Sequence, residues 1–205
     1  MKAPECLGRV DDKGITLIEL LIVIAIIGIL AVALGFSYVG WMGRYQVEKT
    51  TKNIYSDLMT ARARAMQRNR MHFVRFPVTT SYTIYEDDSN GVAKIPDGDG
   101  ILQEGTGITA DTQLASFPKT LEYAVTIGTV AGVPPITFNL DSRGTISPER
   151  TICIFTDADG DGISDTDPDY DCIIISQTRI ITGKLTTQNT AGGICGGTPN
   201  NCVTK

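Results

Sequence analysis

Residues 14–36 read GITLIELLIVIAIIGILAVALGF, and no other stretch limits the fold of this chain so strongly. From Leu20 to Phe36 there is neither a charge nor a proline. At about 1.5 Å per helical residue, Ile15 to Phe36 covers roughly 30 Å, the hydrocarbon thickness of a bilayer. No water reaches backbone groups at that depth, so the segment must satisfy them internally as a helix. Glu19 is the single acid at the edge of the run. A carboxylate near mid-bilayer costs about 3 kcal/mol or more, so its presence needs a physical reason.

The placement of the run separates it from a secretory signal, whose small-residue cleavage site follows the apolar core. Here the suitable residue, Gly14, precedes the core. Glycine has no side chain, so a protease can approach its backbone closely. A cut after Gly14 leaves the apolar helix on the mature chain, with a new amino terminus at Ile15. Glu19 then lies one helical turn along. A free amine and a carboxylate in apolar surroundings neutralise each other, within one chain or between neighbours.

Lys13-Gly14-Ile15-Thr16-Leu17-Ile18-Glu19-Leu20 and the run through Gly28 to Leu34 resemble the class III signal of type IV pilins and type II secretion pseudopilins. The resemblance implies that a membrane prepilin peptidase cuts after Gly14 and methylates Ile15. It implies that Glu19 guides assembly with other pilin or pseudopilin subunits on an inner-membrane assembly platform. Ile15 departs from the phenylalanine more usual there.

Beyond Phe36 the apolar residues change period. Val47, Thr51, Ile54, Leu58, Ala61 and Ala65 recur at spacings of three and four, one face of an amphipathic helix. Arg44, Lys49, Lys52, Arg64 and Arg68 lie largely off that face. The helix should end near Asn69–Met71, and Gly35, Gly40 and Gly43 interrupt it at about 1 kcal/mol each against alanine. From His72 the pattern becomes short β-rich runs: His72–Phe76, Tyr82–Tyr85, Leu121–Ile127, Ile136–Leu140, Thr151–Phe155, Cys172–Ser176 and Arg179–Thr182. Turn signals such as Ser89-Asn90-Gly91 and Ser142-Arg143-Gly144 divide them.

The expected fold is α+β and type IV pilin-like: a long amino-terminal helix packed on an antiparallel β-sheet head. Residues 1–14 form the cleaved leader, 15–36 the transmembrane or filament-core helix and 37–71 its amphipathic continuation. Residues 72–184 form the head and 185–205 a loop-like tail. The stretches Asp57–Arg70, Tyr82–Tyr85, Ile136–Gly144 and Ile173–Ser176 resemble the GspH/FimT family of minor pseudopilins and minor pilins. That resemblance implies a minor structural subunit at a filament tip or in priming assembly, and leaves secretion pseudopilus and pilus both open. It places the chain in the inner membrane with its head in the periplasm, and then in a filament.

Charge divides along the chain. Residues 15–76 carry eight bases and three acids, and residues 77–205 carry seven bases and seventeen acids. Opposite signs favour contacts between copies, or are simply solvated. An acidic head argues against DNA as a partner, because phosphate contacts need clustered Lys and Arg. Arg62, Arg64, Arg68 and Arg70 are the patch on which a DNA-binding or adhesin reading would rest.

Apart from Cys6 in the leader, four cysteines remain: Cys153, Cys172, Cys195 and Cys202. An even number beyond a membrane anchor reads as two disulfides in an oxidising space, against buried free thiols. Three pairings are open. Short local loops favour Cys153–Cys172 with Cys195–Cys202.

Asp157, Asp159, Asp161 and Asp165 stand at positions 1, 3, 5 and 9 of an EF-hand-like loop, with Gly162 at position 6. The Ile163 carbonyl adds a seventh-position oxygen, so Ca2+ is the expected cofactor, against a merely solvated acidic loop. Position 12 is Pro168, which leaves Asp167, Asp169 or Asp171 to supply the missing ligand. A weaker acidic set, Glu86, Asp88, Asn90, Gly91 and Asp97 with Asp99 nearby, reads better as an ordinary polar hairpin.

Nothing in the chain points to an enzyme. His72 is the sole histidine. That rules out a two-histidine metal site and leaves one histidine, usually structural, for any triad. No P-loop or dinucleotide fingerprint is present.

Overall fold

The computed structural model describes residues 14–95, 98–123, 125–128, 135–154, 156, 164–186, 195 and 202–205, with 32–40 and 125–128 described by backbone alone. Helix α1 (Leu17–Arg68) runs unbroken for 52 residues, through all three interrupting glycines. Met1–Val39 and Gly40–Lys205 are separate compact units, and α1 contributes to both.

In the first unit every described position from Ile15 to Ala31 is exposed, although nearly all are apolar. Leu20, Leu21, Ile22 and Val23 are successive residues, about 100° apart around the helix, and all are exposed, so no polar face exists there. Among the described residues no helix is long and apolar enough to cross a membrane.

In the second unit the expected helix face is the buried one. Val47, Thr51, Ile54, Leu58, Ala61 and Ala65 are all at most 1% exposed. They pack on two antiparallel sheets. The first runs β3 (Thr112–Gln113), β2 (Ser81–Glu86), β1 (His72–Val78), β6 (Ile136–Leu140), β7 (Ile146–Ser147), with β4 (Lys119–Thr120) also pairing β2. The second runs β11 (Cys202–Thr204), β10 (Ile180–Leu185), β9 (Cys172–Ile175), β8 (Arg150–Ile154), β5 (Val125–Gly128). Period-two alternation sends Val74, Phe76, Ile84 and Phe138 of one sheet, and Ile152, Ile154, Ile173 and Ile175 of the other, into one core with α1. Each fully buried side chain contributes about 1.5–3 kcal/mol. Stacked Phe76 and Tyr82 rings, 5.3 Å apart, anchor the first sheet.

The helix stops at Arg68, just ahead of the expected boundary, because Asn69 turns left-handed at φ 52°. The Arg70 N–H then donates to the Ala65 carbonyl at 3.1 Å, a Schellman closure. Glu86 on β2 accepts from Arg68 at 2.6 Å and Arg70 at 3.1 Å, gripping the turn from both sides.

Two expectations change. The strand expected over Leu121–Ile127 begins only at Val125. Its predecessor β4 pairs with β2 and β5 pairs with β8, so Leu121–Tyr123 carries the chain from one sheet to the other. The tail is not wholly loop, since β11 pairs with β10 over Gly183–Leu185.

The preferred disulfide pairing is also corrected. The bonds are Cys153–Cys195 and Cys172–Cys202, with Cα–Cα distances of 5.8 and 6.1 Å. They interlace because the tail returns across the outer face of the second sheet, where both strand cysteines point. With sequence separations of 42 and 30, each restrains the unfolded chain by about 4 kcal/mol in the chain-entropy description. Gly183 makes the return possible: a Cβ there would lie 2.4 Å from the Val203 carbonyl oxygen and 2.9 Å from Cys202 Sγ.

Candidate functional site

The amino-terminal segment carries the first group of expected site residues. Gly14 and Ile15 precede the helix and are exposed, Ile15 by 78%. A Cβ on Gly14 would meet nothing within 4 Å, so the fold itself does not require glycine there. Any demand for a bare backbone at this position is made from outside the chain.

Glu19 has a local role that the sequence reading missed. The Glu19 N–H donates to Thr16 Oγ1 at 3.3 Å, and the Thr16 N–H donates to Glu19 Oε2 at 2.9 Å. The Thr16 hydroxyl also donates to Glu19 Oε2 at 2.7 Å. This is a capping box, which satisfies two of the four orphan donors at a helix start. Its signal, Thr-x-x-Glu before an apolar run, was present in the sequence. The negative charge also sits where the helix dipole favours it.

The second group is the acidic loop. Asp157, Asp159, Asp161 and Ile163 lie outside the described residues. Asp165 is described, and its N–H donates to the Thr156 carbonyl at 2.8 Å. Among the described residues no group of three or more His, Cys, Asp or Glu is arranged to hold a metal ion. The three substitute ligands are engaged elsewhere. Asp167 pairs with Lys184 at 2.7 Å, Asp169 with Lys205, and Asp171 Oδ1 accepts from the Leu185 N–H at 2.7 Å. Asp171 lines a cavity of about 330 Å³ with Ser164, Thr166, Asp167 and Lys184. Burial pushes its carboxyl up to about 6, against the Leu185 N–H and the Lys184 charge, which favour the anion.

In and around the weaker acidic set the carboxylates accept from both backbone and side-chain donors. Asp87 accepts from the N–H groups of Asp99 and Gly100 at 3.1 and 2.9 Å. Asp111 accepts from Asp88, Ser89 and Gln103, and Asp88 accepts from Lys94 and Thr112. Asp97 lies outside the described residues.

The basic patch is partly spent on the fold. Arg68 and Arg70 share Glu86, and Arg62 donates to the Thr178 carbonyl at 2.9 Å. His72 is fully buried beside Arg70, with Nδ1 3.3 Å from the Arg70 carbonyl oxygen. Burial lowers its pKa, and the neutral tautomer that donates through Nδ1 fits that contact. It is a packed residue of the sheet.

A long helix opened by a capped glycine-preceded start, and an antiparallel head closed by its own tail, together define a prepilin-class architecture. Residues 9–35 match the prokaryotic N-terminal methylation motif. Residues 50–178 match the family described as type II transport protein GspH, and the chain belongs to that family. Among solved structures it is similar to the minor pseudopilin EpsH from the Type 2 Secretion System of Vibrio cholerae, at 15% identity and a TM-score of 0.41, covering 68% of this chain and 97% of that one. No curated protein matches the chain.

Proposed function

We propose that this chain is a minor structural subunit of a type II secretion pseudopilus. It is made as an inner-membrane precursor, cut after Gly14 and methylated at Ile15. It is then drawn into a filament at the tip or during priming. The observation that carries this reading is the exposed apolar surface around the whole helix from Ile15 to Ala31. A helix apolar on every side requires lipid or other helices as its surroundings. The sequence continues the same character to Phe36, enough to span a bilayer. Family membership and the methylation motif support the same reading.

Glu19 then has two successive partners. In the single chain it caps its own helix through Thr16. In the filament its charge meets the methylated amine of a neighbour, and a misregistered subunit would bury that carboxylate unpaired. Glu19→Ala is expected to insert into membranes normally and to be lost from sheared filaments or crosslinked assemblies. Wild-type incorporation of that variant would refute the role. Amino-terminal sequencing of the mature protein should begin at Ile15, and a chain still beginning at Met1 beside an active prepilin peptidase overturns the processing step.

A DNA-binding or adhesin role gains little support, since Glu86 already neutralises two of the four patch arginines. A gel shift with duplex DNA at low salt is expected to show no complex.

A further inference from the structure

Cys153 on β8 and Cys172 on β9 are direct register partners. The adjacent Ile154 N–H donates to the Asp171 carbonyl at 2.8 Å, so Ile154, and not Cys153, turns its backbone N–H toward the β9 side, while the Asp171 N–H goes to the Gly183 carbonyl at 3.2 Å. In an antiparallel ladder the two kinds of pair alternate, so Cys153 and Cys172 form a non-hydrogen-bonded pair. Such partners lie about 4.5 Å apart at Cα with their side chains closer still, inside the span of about 4.4–6.8 Å that a disulfide requires. Both side chains join one buried cluster with Leu185, Cys195 and Cys202. Each is nevertheless bonded to the tail and not to its neighbour.

The order in which these sulfurs meet follows from what holds them. β8 and β9 are fixed by four register pairs and by Ile152, Ile154, Ile173 and Ile175 in the central core. The tail reaches the sheet through the three-residue β11, after closing loops of 42 and 30 residues. Closing such loops carries an entropy cost that the strand pair has already met.

We propose that the mature disulfides arise by exchange from a Cys153–Cys172 cross-strand disulfide, which makes the outer face of the second sheet a thiol–disulfide exchange site for a disulfide-bearing oxidant. In the first step the Cys153 and Cys172 S–H bonds break and an S–S bond forms. Two electrons and two protons pass to the oxidant, a glutathione or oxidoreductase disulfide, which becomes two thiols. Next the Cys195 thiolate attacks Cys153 Sγ. The Cys153–Cys195 bond forms, the cross-strand bond breaks and Cys172 leaves as the thiolate, with no net electron change. A second oxidant disulfide then takes two electrons and two protons from Cys172 and Cys202. Four thiols become two disulfides, and two oxidant disulfides become four thiols. Exchange of this kind proceeds by thiolate attack on a disulfide sulfur.

The test is oxidation of the reduced full-length chain in detergent micelles by oxidised glutathione, quenched at intervals with acid and alkylating agent and mapped by peptide mass spectrometry. The expected result is that Cys153–Cys172 is the predominant early intramolecular disulfide and disappears as Cys153–Cys195 grows. Direct appearance of Cys153–Cys195 or Cys172–Cys202 with no cross-strand species overturns the proposal. The double variant Cys195→Ser/Cys202→Ser, checked for native circular dichroism, is expected to hold a stable Cys153–Cys172 bond. Two free thiols in that folded variant under the same oxidant overturn it equally. Should the variant not fold, the wild-type time course decides alone.

Discussion

Asp171 shows how one side chain can work against the stability of its own fold. Its carboxyl is raised from 3.8 to about 6 chiefly by burial. The folded chain therefore holds a proton that the unfolded chain has released in the window between those values. Stability from this group is fully present below 3.8 and declines as pH rises through about 6. His72 acts in the opposite sense. Its pKa is lowered from 6.5 by burial, so its contribution is present above 6.5 and is lost as pH falls. Asp171→Asn keeps an acceptor for the Leu185 N–H and removes the charge. With chelator present, we expect this variant to be more stable than wild type at pH 7.5, by up to about 3 kcal/mol, and equal to it near pH 3. Thermal melts at the two pH values check this. A variant less stable at pH 7.5 would mean that the anion is held by contacts stronger than the desolvation it suffers.

At the scale of elements, the helix is the best-read part of the chain. Its buried stripe was legible because Val47 to Ala65 repeats at helical spacing and every member packs on a sheet. Leu58→Ala is expected to cost about 2–5 kcal/mol, since the side chain is wholly buried in the core that α1 shares with the two sheets. Urea unfolding of the full chain in detergent measures it, and a cost below 1 kcal/mol would contradict that packing. Strands with a dense β-branched or aromatic signal, β1 and β6 above all, were equally legible. The elements that were missed are two or three residues long. Cys202-Val203-Thr204 has too few positions for alternation to register, and β4 belongs to a segment that changes sheets. The disulfide pairing was misread for a related reason. Local loop length says nothing about a tail that folds back over the sheet. At the amino terminus the Thr16–Glu19 spacing is visible in the sequence, but the cost of a carboxylate in lipid points first to a cationic partner and not to the helix's own N–H donors.

On the whole-molecule scale, the two units differ: the described side chains of the first, from Ile15 to Ala31, are exposed and nearly all apolar, whereas the second is closed around a main core and a smaller cysteine cluster. Calcium, if bound by Asp157, Asp159, Asp161 and Asp165, acts on the second. The Ile163 carbonyl would add a fifth oxygen to that set, while Asp167, Asp169 and Asp171 are engaged with Lys184, Lys205 and the Leu185 N–H. A bound ion at a hundredfold excess over its dissociation constant stabilises by about 2.7 kcal/mol. The expected outcome is a higher melting temperature in Ca2+ than in EGTA, abolished by Asp159→Asn. Identical melts in both conditions would leave the loop as a solvated acidic surface.

The bare backbone at Gly183 has a chemical consequence as well as a steric one. Because the returning strand lies against that position, a methyl group there would push Cys202 away from its sulfur partner, and Gly183→Ala should announce itself as titratable sulfhydryl before it announces itself as lost β structure. A residue that bears no reactive group thereby governs which covalent bonds the molecule can keep.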